Sequence, residues 1–153
     1  KVLWISAYSS LKQNNFEAIT NTSNKIIDTD KKITVLIVED NRVNMLLLKT
    51  ILKNLFVKTI VHEVVNGKEA VDNFELIQPD IIFMDIQMPV MNGYEATKII
   101  RNLKSGQNVP IIAITAGTEK EEKDKCLTAG MNDYIPKPII KGVIEEVILK
   151  WVY

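Results

Sequence analysis

From Ile33 to Val152 the chain alternates five times between a short apolar run and a longer stretch of helical character. The runs are ITVLIVE (33–39), Lys58 to Val65, Asp80 to Met84, Pro110 to Ile114 and the brief Tyr134-Ile135 pair. The first is continuous and β-branched rather than alternating, as expected of a strand covered on both faces in a parallel sheet. Between and after them lie helix candidates at Asn41 to Leu55, Gly67 to Ile77, Gly93 to Leu103, Lys120 to Ala129 and Ile140 to Val152. In the second of these, Ala70, Phe74 and Ile77 fall on one face. A loop over Lys104 to Asn108 follows the third, and Gly130 stops the fourth. Five βα units predict a doubly wound α/β sheet, with right-handed crossovers placing helices on both faces.

Residues 1–32 read differently. The stretch TNTSNKIIDTDKK (20–32) is polar and turn-prone, the composition of a linker. Upstream, Val2 to Ile5 suggests a short strand and Leu11 to Ile19 a weak helix, too little to close a core alone. The expected organisation is a linker or the tail of a preceding region over 1–32 and one domain over 33–153. A first residue of Lys1 rather than Met suggests a fragment of a longer chain.

Charge and cysteine use narrow the function classes. The 19 basic and 19 acidic residues balance to a net charge of zero, which leaves no footprint for nucleic acid or an anionic membrane surface. Apolar runs such as Val35 to Val38 fall far short of the roughly 20 residues of a membrane span. One cysteine, Cys126, precludes a disulfide framework and a cysteine zinc cluster, and fits a reducing, cytoplasmic setting.

In an open parallel sheet, ligands bind beyond the carboxyl ends of the strands. The first strand ends in Glu39-Asp40, the third in Asp85, the fourth in Thr115, and the fifth runs into Lys137-Pro138. Topology alone therefore gathers three carboxylates, a hydroxyl and one ammonium at a single rim. Crowded carboxylates raise one another's pKa unless a cation sits among them, and Lys137 leaves a deficit of two charges. An all-oxygen donor set points to Mg²⁺, with Mn²⁺ as the alternative, rather than zinc. Mg²⁺ commonly shares its shell with phosphate oxygens, and Thr115 and Lys137 suit the same anion. A carboxylate so placed can itself act as nucleophile and form an aspartyl phosphate.

The runs VLIVEDN (35–41), IIFMDIQMPVMNGYEAT (81–97), IIAITA (111–116) and AGMNDYIPKP (129–138) resemble the response-regulator receiver domains of two-component signalling. The resemblance implies a flavodoxin-like fold with strand order 2-1-3-4-5, placing Asp40 beside Asp85. It implies that Asp85 accepts the phosphoryl group, and that Asp40 and Asp85 ligate Mg²⁺ with the backbone carbonyl of Gln87. Glu39 would hold a metal-bound water, while Thr115 and Lys137 bind phosphoryl oxygens. Tyr134 matches the family's switch aromatic, Ala116 its small residue beside the site, and Lys137-Pro138 its cis bond. Gly117 departs from the longer residue of many relatives, which bears on how fast the acyl phosphate hydrolyses.

The resemblance further implies a histidine kinase or histidine phosphotransfer protein as donor, self-catalysed phosphorylation and dephosphorylation, and signalling through the fourth helix, fifth strand and fifth helix. That face is also where a second copy would pair. The wording of the motifs is most similar to the carboxyl-terminal receivers of hybrid sensor histidine kinases, whose parent chain can be membrane-anchored. A haloacid-dehalogenase-like phosphatase wants a second Asp two residues after the first, where this chain has Gln87. A flavin or dinucleotide fold wants glycines after the first strand, where this chain has Glu39 to Arg42. A receiver that signals without phosphorylation sits poorly with a complete residue set.

Several residues invite plainer readings. His62 is expected at an edge or surface, Cys126 as half-buried packing, and EKEEKDK (119–125) as a solvated helix start. On the first helix, Leu47, Leu48, Ile51, Leu52 and Leu55 are expected to form the core stripe, with Arg42, Lys49 and Lys53 opposite. Val43 and Leu46 fall outside it, beside the acceptor rim, as a docking surface for a helical phosphodonor. Gly93 is expected to begin its helix where a side chain would clash.

Overall fold

The computed structural model describes residues 31–117 and 120–153. The strand and helix expected upstream of residue 31 lie outside them. Five strands, β1 (Ile33–Val38), β2 (Thr59–Val64), β3 (Ile81–Asp85), β4 (Ile111–Thr115) and β5 (Asp133–Pro136), form one sheet. All pairings are parallel and the order is β2-β1-β3-β4-β5, as the resemblance implies. The helices are α1 (Arg42–Leu55), α2 (Gly67–Ile77), α3 (Gly93–Asn102), α4 (Lys120–Thr128) and α5 (Lys141–Trp151). Element ends lie within a residue or two of the sequence reading, and a single 3-10 turn at Lys104–Gly106 occupies the expected loop.

Pleating splits the apolar runs between two cores. On one face Ile33, Val35 and Ile37 of β1 meet Met45, Leu48, Ile51 and Leu52 of α1 and Ile144, Val147 and Ile148 of α5. On the other, Leu36 and Val38 join Ala70 and Phe74 of α2, Ala96 and Ile100 of α3, and Cys126 of α4. Because β1, β3 and β4 are covered on both sides, they carry almost no polar residue before their carboxyl ends. Each buried Ile or Leu contributes about 1.5–3 kcal/mol relative to exposure.

Two of the helix-face readings need correction. Leu47 is 41% exposed and Met45 takes its place in the core at 7%. Leu47 lies about 100° round the helix from Leu48, at the edge of the stripe, whereas Met45 lies about 60° from it. Cys126 is fully buried at 1% exposure rather than half-buried.

Local chemistry sets the helix starts that matter for the rim. Asn41 caps α1, its Oδ1 accepting from the N–H groups of Val43 and Asn44. Asn92 and Glu95 close a capping box on α3. At the opposite, amino-terminal end of the strands, Arg101 donates to the carbonyls of Gly130, Gly106 and Val109 and to Asn132 Oδ1. Asn132 Oδ1 also accepts from the N–H of Ile111, so one guanidinium ties the α3–β4 and α4–β5 connections together.

Candidate functional site

The carboxyl ends of β1, β3, β4 and β5 bring Glu39, Asp40, Asp85, Thr115 and Lys137 to one cleft of about 190 Å³. Asn41, Asn44, Ile86, Gln87 and Ala116 complete its lining. Every residue expected at the rim is therefore gathered there, and Tyr134, expected as the switch aromatic, stands to one side on β5. Tyr134 is half-buried against the second core, with Lys123 Nζ 5.6 Å from its ring centroid. The peptide bond between Lys137 and Pro138 is cis. His62 is exposed on the edge strand β2, away from the cleft.

Asp85 is 4% exposed, Glu39 2% and Thr115 5%. Lys137 Nζ donates to Asp85 Oδ2 at 2.9 Å and lies 3.1 Å from Glu39 Oε2. The N–H of Gln87 donates to Asp85 Oδ1 at 3.2 Å. Glu39 Oε1 accepts from the N–H of Asn41 and from Asn44 Nδ2, whereas its Oε2 is buried and receives no aligned hydrogen bond. The Thr115 carbonyl accepts from the N–H of Lys137 at 2.7 Å, and its Oγ1 accepts from the N–H of Gly117 at 3.0 Å. Gly93 is buried behind this cluster, where a β-carbon would lie 2.2 Å from the carbonyl oxygen of Asp85.

These distances set the electrostatics. Burial, then the neighbouring Asp85 charge, pushes the Glu39 carboxyl above its ordinary range, against the opposing pull of Lys137 and Asn44. Burial would lower Lys137, but its bonds and charge interactions with Asp85 and Glu39 outweigh this and raise it. Oxygen atoms of Glu39, Asp40 and Asp85 lie within 4.8 Å of one another. Three carboxylates against one ammonium leave two negative charges, and Glu39 Oε2 is buried without an aligned hydrogen-bond donor. The donor set is all oxygen, which suits a hard divalent cation.

Comparison with known proteins decides the family. The family model of the response regulator receiver domain matches residues 35–149. The chain belongs to the receiver domain family. It is a receiver domain of two-component signalling, and sensor histidine kinases are among its relatives. It is 39% identical over 120 residues to the sensor histidine kinase GacS of Pseudomonas protegens, which covers 76% of this chain and 13% of that protein. It is 43% identical over 122 residues to hybrid signal transduction histidine kinase I of Dictyostelium discoideum, covering 74% of this chain and 7% of the kinase. The receiver thus spans a small part of the relatives it matches.

Among solved structures, the receiver resembles that of the Pseudomonas aeruginosa sensor histidine kinase PA1611, which holds a magnesium ion in its active-site cleft. The two agree with a TM-score of 0.73 and 37% identity, covering 80% of this chain and 98% of that one. It also resembles, at TM-score 0.72 and 36% identity, a chain of the Saccharomyces cerevisiae complex of the phosphotransfer protein Ypd1 with the Ssk1 receiver domain. That match covers 78% of this chain and 88% of the other.

Two side chains missed by the sequence reading stand next to the cleft. Tyr94 of α3 donates its hydroxyl to Glu122 of α4 at 2.5 Å and approaches Cys126 Sγ at 3.9 Å. Burial and the Glu122 carboxylate hold the Tyr94 hydroxyl strongly protonated. Twenty-eight positions separate the partners, and no local pattern in sequence pairs them.

Proposed function

We propose that this receiver takes a phosphoryl group from a phosphohistidine onto Asp85. The observation that carries this reading is the setting of Asp85. Its carboxylate is buried at the end of the central strand, held by Lys137 Nζ and the Gln87 N–H, in a cleft two negative charges out of balance. A carboxylate oxygen of Asp85 attacks phosphorus as the phosphorus–nitrogen bond breaks. The bonding pair returns to the imidazole, which takes a proton from solvent. The Lys137 ammonium neutralises one phosphoryl oxygen and the Thr115 hydroxyl donates to another, while Ala116 leaves the group open to water for later hydrolysis.

Mg²⁺, or Mn²⁺ in its place, would be held by Asp40, Asp85 and the Gln87 carbonyl, with Glu39 on a bound water, and would supply the missing positive charge. The phosphoryl group then shifts a pre-existing equilibrium through Thr115 and Tyr134, read out at the face of α4, β5 and α5 by a partner or a second copy.

The donor docks beside the cleft. Val43 is 74% exposed, Leu46 64% and Leu47 41%, an apolar stripe on α1. Leu46, Met45 and Val65 line a groove that runs onto Glu39 and Asp40, a fit for an amphipathic helix carrying the phosphohistidine. In a longer hybrid kinase, residues 1–32 would tether this receiver to the preceding region, on the cytoplasmic side of the membrane. Among the described residues no helix is long and apolar enough to cross a membrane.

Phosphotransfer from a labelled phosphohistidine protein tests the reading. Label should pass to wild type and not to Asp85→Asn. Leu46→Ala should slow transfer from the protein about tenfold while acetyl phosphate reacts as before. Equal slowing with both donors would remove the docking claim.

A further inference from the structure

Helix α4 is held to the domain unusually lightly. Among its described side chains, Cys126 alone is buried, and the rest of the helix is polar but for Leu127, which is 48% exposed. A helix with so little apolar anchorage takes its position from the few directed contacts it makes. Near its start there are two, one to each flank. Glu122, only 23% exposed in its side chain, accepts the Tyr94 hydroxyl from α3. Lys123 sits over the ring of Tyr134 on β5.

The first of these contacts runs past the phosphoryl cleft. Gly117 lies directly under the Glu122 side chain, where a β-carbon would come within 2.8 Å of Cγ and 3.2 Å of Cβ. The missing side chain is the gap through which Glu122 passes to reach Tyr94. The N–H of the same glycine donates to Thr115 Oγ1. Any shift of the Thr115 oxygen toward an anion on Asp85 would lengthen its bond from the Gly117 N–H and so bear on the residue that Glu122 packs upon.

We propose that Tyr94, acting through Glu122, is a positioning residue that holds α4 in the arrangement in which the Gly117 N–H engages Thr115 Oγ1, and that this arrangement is the one phosphorylation disfavours. Phosphorylation of Asp85 and the Tyr94–Glu122 contact are then antagonistic, and losing the contact favours the phosphorylated state. Such a contact is intact in one arrangement and broken in the other, so its whole worth enters the equilibrium between them. This rests on the reading of Asp85 as phosphoacceptor. A hydrogen bond to a carboxylate, discounted for the partial exposure of Glu122, corresponds to a shift of about three- to tenfold.

The test titrates beryllium trifluoride, a tetrahedral mimic of a phosphoryl group on a carboxylate, into the receiver with saturating Mg²⁺, by calorimetry. Tyr94→Phe removes one hydroxyl with its ring in place, and Gly117→Ala displaces Glu122 from the other side. Each should tighten binding about three- to tenfold, and the double variant should bind no tighter than the singles. A residue that merely packs would lower the melting temperature and leave this affinity unchanged. Affinities unchanged within twofold, weakened, or multiplied in the double variant would overturn the proposal. No binding to wild type would instead overturn the reading of Asp85 itself.

Discussion

At Gly93 a β-carbon would lie 2.2 Å from the carbonyl oxygen of Asp85 and 3.1 Å from its carbonyl carbon. Backbone, unlike a flexible side chain, has nowhere to retreat. Gly93→Ala should therefore cost about 2–3 kcal/mol in chemical denaturation and displace the strand end that carries the Asp85 carboxylate. The spacing of Gly93 from Asp85 made the clash foreseeable, because a helix that starts at a strand's end must come close to it. Glu39 shows the opposite side of the same rim. Its carboxyl is raised chiefly by burial, so keeping it ionised opposes folding, and this opposition eases as the pH falls through its raised value. A site that is costly in isolation is one arranged for a ligand. Tyr94 and Glu122 were not legible in sequence, since a tyrosine after a helix-starting glycine and a glutamate in a charged run look like surface residues. Only the packing of α3 beside α4 brings them together.

Among the elements, β5 and α5 are joined by a polar contact at Asp133. Burial alone would raise this carboxyl, but hydrogen bonds from Lys150 Nζ, Trp151 Nε1 and the N–H of Tyr134 outweigh it and hold it below the ordinary 3.8. A carboxyl lowered by folding stabilises above its unfolded value, and that stability is lost as the pH falls through the folded one. Asp133→Asn should thus lower stability at pH 7 by about 1 kcal/mol, discounted for the exposure of Lys150, and the gap to wild type should close in acid. Urea titrations at neutral and acid pH measure both. Trp151, with no role apparent from sequence, is explained by this bond. Helix α1 shows where helical periodicity misleads. Five leucine and isoleucine positions read as one stripe, yet Leu47 sits at its rim and the flexible Met45 fills the core. A stripe locates a helix face to within a residue's width, and which edge residue is buried depends on how the helix lies on the sheet. Arg101 is a further case, because its three carbonyl acceptors come from loops that meet only in the folded chain.

For the whole molecule, parallel topology did most of what the sequence reading needed. Once five strands were read as parallel, their carboxyl ends had to share a rim, and Glu39, Asp40, Asp85, Thr115 and Lys137 had to meet there without any contact being known. The net charge of zero concealed this, since residues 1–32 hold five basic and three acidic groups, leaving the receiver 14 against 16. The excess is concentrated in the cleft, which has a consequence for stability. Mg²⁺ at ten times its dissociation constant should stabilise the fold by about 1.4 kcal/mol, raising the melting temperature by a few degrees. Asp40→Asn should melt higher than wild type without divalent cations and gain little from adding them. A wild-type melting temperature indifferent to Mg²⁺ would contradict a metal in this cleft. The central claim, that Asp85 is the phosphoacceptor, is tested most directly by intact mass after incubation with acetyl phosphate and Mg²⁺. Wild type should gain the mass of one phosphoryl group, lose it on treatment with hydroxylamine and gain nothing without divalent cation, while Asp85→Asn stays unmodified. No adduct on wild type, or the same adduct on Asp85→Asn, would contradict the account.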